Sequence, residues 1–329
     1  MDNKPCLTDS YGRLVNYIRV SVTDKCNLRC FYCLPKGQHP FAAKADYLHP
    51  DELIRILRVF AQLGVANVRL TGGEPLVRKD FPDLVKRIQQ IDGINDLSLS
   101  TNASLLAEQA AQLQQNGIKR INVSLDSLQA KRFKQITHGE LAPVLAGLMA
   151  AKEAGFFPIK INMVVMRHVN DDEVVDMLAF CQQHGFTLRF IETMPVGGSG
   201  QQAGDHYIDL AEIQQRLAQD YQLVPSIVAG NGPARYFRVN NSALHIGFIT
   251  PMSQHFCETC NRVRLSVDGT LYLCLGKNHS QPLRPWLRQG IDDGRLQQLI
   301  IQALALKPKQ HNFNDNPHEV IRFMSSTGG

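Results

Sequence analysis

Two groups of thiols define the chemistry open to this chain. Cys26, Cys30 and Cys33 lie in Cys26-Asn27-Leu28-Arg29-Cys30-Phe31-Tyr32-Cys33, and Cys257, Cys260 and Cys274 form a Cys-x2-Cys-x13-Cys group. Three thiolates held this close make a metal site. A structural zinc site or an ordinary cubane iron–sulfur cluster closes with four ligands, whereas a site built for chemistry keeps one position open. Neither group has a fourth cysteine at matching spacing. Both therefore read as iron–sulfur clusters with one open iron. The competing reading is zinc completed by a distant residue, His255 or His279 for the second group. Cys6 and Cys181 stand apart, and Cys181 reads as a buried small hydrophobe within an apolar helical stretch.

Cations surround these thiols. Arg262 and Arg264 alternate on one strand face directly after Cys260, where guanidinium forks can grip phosphate oxygens in pairs. Arg19, Arg69, Lys160 and Arg189 lie on strands or strand ends of the N-terminal part. Together they suit a polyphosphate better than an amino acid or a peptide. Gly72-Gly73-Glu74-Pro75 ends a strand, and its paired glycines allow backbone to approach a ligand closely.

The elements that must position these residues alternate regularly. Strands are expected at 17–22, 68–71, 97–101, 121–125, 159–166 and 187–192, and helices at 53–63, 81–91, 105–115, 142–154 and 173–183. Six such units predict a parallel sheet with helices outside it. They are too few to close an eight-unit barrel, so periodicity leaves an open doubly wound sheet and a partial barrel as alternatives. In both, ligands sit at the carboxyl ends of strands, where the first cysteines, the Gly-Gly-Glu turn, Thr101-Asn102, Ser124 and Asp126 fall. Residues 1–16 read as an N-terminal arm. The composition changes near 196, after which a helix is expected at 208–218, an antiparallel element at 236–239 and 245–249, and a hairpin over 266–272 with Asp268-Gly269 at its turn.

With 329 residues, 44% hydrophobic and 20% charged, the chain has the composition of a folded globular protein. The net charge of +5 comes without a run of five Lys or Arg, so nucleic acid is not indicated. No apolar stretch has the length of a membrane span, and the first residues form no signal peptide. Clustered rather than dispersed cysteines fit a reducing compartment, and a cytoplasmic location is expected.

Cys-x3-Cys-x2-Cys behind a strand, with an aromatic residue before the last cysteine, resembles the radical S-adenosylmethionine (SAM) family. Several further stretches make the resemblance narrower: Gly72-Gly73-Glu74-Pro75, Asn122-Val123-Ser124-Leu125-Asp126-Ser127, Phe190-Ile191-Glu192 with Met194-Pro195, the second cysteine group with Asn261-Arg262-Val263-Arg264, and the terminal Gly328-Gly329. From about Arg19 to Gly329 the chain is similar to the GTP 3',8-cyclases of molybdenum cofactor biosynthesis. The resemblance implies a partial (βα)6 TIM-type barrel over 17–195 and a C-terminal α+β extension over 196–329 carrying the second cluster. It implies a lyase with two [4Fe-4S] clusters and SAM, in which a 5'-deoxyadenosyl radical takes the ribose C3' hydrogen of GTP and C3' attacks guanine C8.

Residue by residue, the resemblance places the first cluster on Cys26, Cys30 and Cys33, and the second on Cys257, Cys260 and Cys274. It gives SAM to Tyr32, Gly73, Ser124 and Met194. GTP falls to Arg19, Arg69, Ser100, Lys160, Arg262 and Arg264, with Arg189 a weaker candidate and the base at the second cluster's open iron. Arg262, Arg264, Gly328 and Gly329 are its catalytic group, the tail reaching into the site. Also implied are an electron donor, functional coupling to cyclic pyranopterin monophosphate synthase, and a homodimer. Two positions depart from the family's pattern: Ser100-Thr101-Asn102-Ala103 stands where relatives show Thr-Thr-Asn-Gly, and Asn67 where they tend to carry lysine. The rival readings are a peptide-modifying radical SAM enzyme with an auxiliary cluster, and a non-catalytic zinc or iron–sulfur module that binds nucleic acid or senses redox state.

Overall fold

The computed structural model describes residues 6–34, 41–228, 230, 232–320 and 322–328. Short runs of β-branched and leucine residues form β1 (Tyr17–Ser21), β2 (Asn67–Thr71), β3 (Asp96–Thr101), β4 (Arg120–Ser124), β5 (Ile159–Val164) and β6 (Thr187–Ile191). They pair in sequence order and all in parallel. Helices α1 (Pro50–Gln62), α2 (Phe81–Gln89), α3 (Ala110–Gln115), α4 (Ala130–Thr137), α5 (Leu141–Glu153) and α6 (Val174–His184) make the connections.

Strand alternation sorts the side chains. Ile18, Val20, Val68, Leu70, Leu99, Ile121, Val123, Ile161, Leu188 and Phe190 pack into the core with Leu57, Phe60, Phe81 and Leu84 of the helices. Each such fully buried side chain contributes about 1.5–3 kcal/mol. The intervening residues, Tyr17, Arg19, Arg69, Ser100, Asn122, Lys160, Asn162 and Arg189, fall on the other face, so the inside of the curved sheet is polar and basic.

Two local expectations change. The helix expected at 105–115 begins only at Ala110. The side chains of Thr101 and Asn102 accept from the Ala103 and Ser104 amides at 2.9 Å, and Ala103 has φ +60°, so the chain turns before it can coil. The β4–β5 crossover holds two helices, because α4 precedes the expected α5 and carries Phe133 and Ile136 into the interior.

Beyond 196 come α7 (Gly197–Gln202), α8 (Leu210–Asp220), β7 (Leu223–Ser226), β8 (Arg235–Val239), β9 (His245–Ile249), β10 (Arg262–Leu265), β11 (Thr270–Tyr272), β12 (Ser280–Pro282), α9 (Arg284–Arg288), α10 (Asp293–Ala305) and α11 (Met324–Thr327). β8 pairs antiparallel with β7 and β9, and β10 with β11. The later strands also extend the barrel sheet at both edges: β9 lies parallel to β6, and β10 lies parallel to β1. One sheet runs β12-β11-β10-β1-β2-β3-β4-β5-β6-β9-β8-β7. The arm also joins the body, as Leu7 and Val15 enter the core and Arg13 forms a buried ion pair with Asp9.

Candidate active site

The first cysteine loop leaves β1 and folds over the carboxyl ends of β2–β4. It is fixed by a relay of hydrogen bonds. Glu74, fully buried, accepts from Leu76 N (3.0 Å), Thr101 Oγ1 (2.7 Å) and Asn102 N (2.6 Å), joining the end of β2 to the end of β3. Burial pushes its carboxyl up to about 7 against these donors. Asn102 in turn donates to Asn27 Oδ1 at 3.0 Å and faces Cys26 Sγ at 3.9 Å. The paired glycines serve this packing: a Cβ on Gly72 would lie 2.2 Å from the Thr23 carbonyl oxygen, and one on Gly73 would lie 2.2 Å from that of Lys25. Their first consequence is thus contact between the turn and the cysteine loop.

Tyr32 donates to Asp126 Oδ2 at 2.6 Å, and Asp126 Oδ1 accepts from Val164 N at 2.9 Å. Burial raises the Asp126 carboxyl to about 6. It also lifts the thiols, Cys26 to about 11 and Cys33 to about 12, so only a bound cation would favour their thiolates. Cys26, Cys30, Cys33, Tyr32, Gly73, Ser124 and Met194 line one cavity.

A second cavity adjoins it, lined by Arg19, Arg69, Arg189, Arg262, Arg264, Cys257, Cys260 and Cys274. Ser100, Asn162, Ile191, Met194 and Met324 border both. Strand register builds the basic wall: Arg19 stands opposite Arg69 on β2 and opposite Arg264 on β10. Tyr17 lies between two guanidiniums, with Arg69 Cζ 5.6 Å and Arg262 Cζ 5.8 Å from its ring centre. Burial holds Arg69, Arg189, Arg262 and Arg264 below the ordinary guanidinium value, and neighbouring arginines add to the effect. The wall is a concentration of buried positive charge that an anion would relieve. Lys160, also buried, donates to Tyr236 Oη at 3.3 Å. Asn67 bonds the Asn16 carbonyl at 2.9 Å.

The second thiol triad differs electrostatically from the first. Burial raises Cys257 and Cys274, whereas at Cys260 the Lys307 and Arg262 charges outweigh burial and lower the thiol. His255 and His311 sit beside Cys257, with ring nitrogens 3.3 Å apart. His279 is exposed, and its backbone carbonyl accepts from Leu273 N at 3.1 Å. The tail lies between the two thiol sites. Arg322 donates to the Cys274 and Leu275 carbonyls at 2.9 and 2.6 Å, the Ser325 backbone hydrogen-bonds the Cys33 thiol, and Arg264 donates to the Gly328 carbonyl. Gly329 lies outside the described residues.

Residues 20–181 match the Radical SAM superfamily, and residues 186–313 match Molybdenum Cofactor Synthesis C. The GTP 3',8-cyclase of Hydrogenovibrio crunogenus is 46% identical, over 98% of this chain and 99% of that protein. The GTP 3',8-cyclase of Marinobacter nauticus is 44% identical, over 98% of each. The chain belongs to the GTP 3',8-cyclase family. Its fold is also that of Streptococcus suis SuiB bound to precursor peptide SuiA, with a TM-score of 0.60 at 15% identity, over 94% of this chain and 77% of SuiB. Family membership decides for the partial barrel that periodicity left open.

Some residues of the site escaped the sequence reading. Asn162, two residues beyond Lys160 on the same strand face, and Tyr17, two before Arg19, were accessible from alternation alone. Asp126 falls at a strand end with no role legible in the sequence, and in the structure it holds Tyr32. Arg13, Met324, Arg322 and Lys307 carried no local signal, since only tertiary packing brings them to the cysteines.

Proposed function

We propose that this chain converts GTP to (8S)-3',8-cyclo-7,8-dihydroguanosine 5'-triphosphate, the first step of molybdenum cofactor biosynthesis. The observation that carries this reading is a buried basic wall beside the second thiol triad, in a cavity that adjoins the one lined by the first triad. Each triad offers three sulfurs facing a cavity, which fits a [4Fe-4S] cluster with one iron left for a ligand. When bound, a cluster on Cys26, Cys30 and Cys33 together with SAM supplies a 5'-deoxyadenosyl radical. In the conversion the ribose C3' hydrogen is removed and C3' is joined to guanine C8.

The chain's own residues bind, orient and shield. Tyr32, Gly73, Ser124 and Met194 hold SAM, and Asp126 keeps Tyr32 in place. Arg19, Arg69, Lys160, Arg262 and Arg264 hold the triphosphate, with Arg189 beside them, while Ser100 meets the nucleotide at the junction. Met194, Met324 and Ile191 make that junction apolar and keep water from a reactive carbon centre. Gly328 places its carbonyl on Arg264, so the tail helps set that guanidinium. The same reading carries an external one-electron donor, transfer of product to cyclic pyranopterin monophosphate synthase, and a cytoplasmic homodimer. Among the described residues, no helix is long and apolar enough to cross a membrane.

A peptide substrate would leave the arginine wall without counter-ions, which disfavours the peptide-modifying alternative. The test is anaerobic reconstitution with iron and sulfide, incubation with SAM, a reductant and GTP, and identification of the nucleotide product. SAM cleavage without a GTP-derived product would refute the reading, as would uptake of zinc in place of iron and sulfide.

A further inference from the structure

Behind the second triad stands a buried ammonium that the proposed reaction does not use. Lys307 follows the C-terminal end of α10 and is 2% exposed. Its Nζ donates to Cys260 Sγ at 3.6 Å, to the Arg262 carbonyl at 3.0 Å and to the Leu273 carbonyl at 2.7 Å. One side chain thus ties the backbone just after Cys260 to the backbone just before Cys274. Of its three partners only the Cys260 sulfur can carry negative charge.

A second buried cation beside it makes the contrast. Arg13 donates to the Cys257 carbonyl at 2.8 Å, the Pro308 carbonyl at 2.7 Å and the Lys309 carbonyl at 2.7 Å, and it is neutralised by the buried Asp9 carboxylate. Arg13 therefore has a carboxylate counter-ion, whereas Lys307 has a cysteine. Burying an ammonium without a counter-charge is costly, so this position is matched to Cys260 as a thiolate, the form that ligates metal. At the first triad, Cys26 Sγ meets neutral donors, the Leu28 amide at 3.4 Å and the Asn102 side chain at 3.9 Å. Charge and hydrogen bonds at ligating sulfur set the potential of an iron–sulfur site.

We infer that Lys307 is a positioning residue of the second site, clamping both ends of its loop and holding its cluster at a higher reduction potential than the same triad would have without the ammonium. This rests on reading the triad as an iron–sulfur site. The change concerned is a one-electron reduction of the cluster in which no covalent bond or proton moves, the electron coming from a dithionite-class reductant through mediators.

The test uses the full chain reconstituted with iron and sulfide. Replacing Cys26, Cys30 and Cys33 together with Ala silences the first cluster, so that the second is read alone by electron paramagnetic resonance during a redox titration. In that background Lys307→Met should lower the midpoint potential, and Lys307→Arg should restore it towards the parent value. Coincident titrations of the Met variant and the parent would overturn the inference. Should Lys307→Met lose the cluster, Lys307→Gln, which keeps carbonyl contacts without charge, is compared with Lys307→Arg. A lower potential in Gln supports the inference and equal potentials overturn it. A parent that takes up zinc there overturns the iron–sulfur reading itself, and iron and sulfide content reports that separately from any potential.

Discussion

Replacing Gly328 with alanine should undock the end of the C-terminal tail from Arg264 while leaving all six cluster cysteines in the chain. Gly328 has φ +74° and ψ 134°, a conformation that side chains avoid, at a cost of about 1–3 kcal/mol. An added Cβ would lie 2.1 Å from Thr71 Cγ2 and 2.8 Å from Thr71 Oγ1, within a packed strand end. Overpacking of this kind costs about 1–3 kcal/mol more. The sum is at least about 2 kcal/mol, which lowers the docked relative to the undocked population by roughly 30-fold or more. Arg264 would lose the Gly328 carbonyl. Cyclase turnover should fall accordingly, while iron and sulfide content stays at the parent level, since every cysteine remains. Combining Gly328→Ala with Thr71→Ser removes the closest clash but not the backbone strain, so it should recover part of the activity. Full turnover in Gly328→Ala would refute the argument, as would a double variant no better than the single.

Other expectations follow from the same geometry. Arg262→Ala or Arg264→Ala should weaken GTP binding measured by isothermal titration, and unchanged affinity would remove that residue from the triphosphate site. Burial, and then Arg189, Arg120 and Arg69, press the Lys160 ammonium down to about 7. A bound polyphosphate favours its charged form, so GTP affinity should be level below pH 7 and fall by up to about tenfold per pH unit above it, because binding then takes up a proton. Lys160→Met should flatten that profile. Glu74 has its carboxyl raised to about 7. The folded state thus favours its protonated form, and its contribution to stability declines as pH rises from the ordinary carboxylate value through 7. Glu74→Gln sets an amide against donors from Leu76, Thr101 and Asn102, and should cost about 1–3 kcal/mol in thermal unfolding while loosening the first triad.

Much of the barrel is legible because its signals are local. Apolar residues at helical spacing in 53–63 predict α1 nearly as it is, and the run 17–22 predicts β1, which carries Arg19. The shortened α3 shows the limit: Thr101 and Asn102 capture the Ala103 and Ser104 amides in a turn held by Glu74, which comes from the loop after β2. The Gly72-Gly73 pair by itself implies room for a ligand, while the backbone it makes room for is first of all that of Thr23 and Lys25.

By itself the sequence determined the reacting groups: six cysteines in two triads that each lack a fourth cysteine, and cations on or beside strands. Residue type and the two-residue strand period are enough for that, since both are properties of neighbouring residues. Tertiary structure alone decided that β10 joins the free edge of β1, which sets Arg264 in register with Arg19 and Arg69 and turns separate strand faces into one basic wall. It alone laid the tail between the triads and set Lys307 behind Cys260. Those outcomes depend on pairing across distant stretches of chain and on how buried charges find counter-ions, and neither leaves a periodic trace in the sequence.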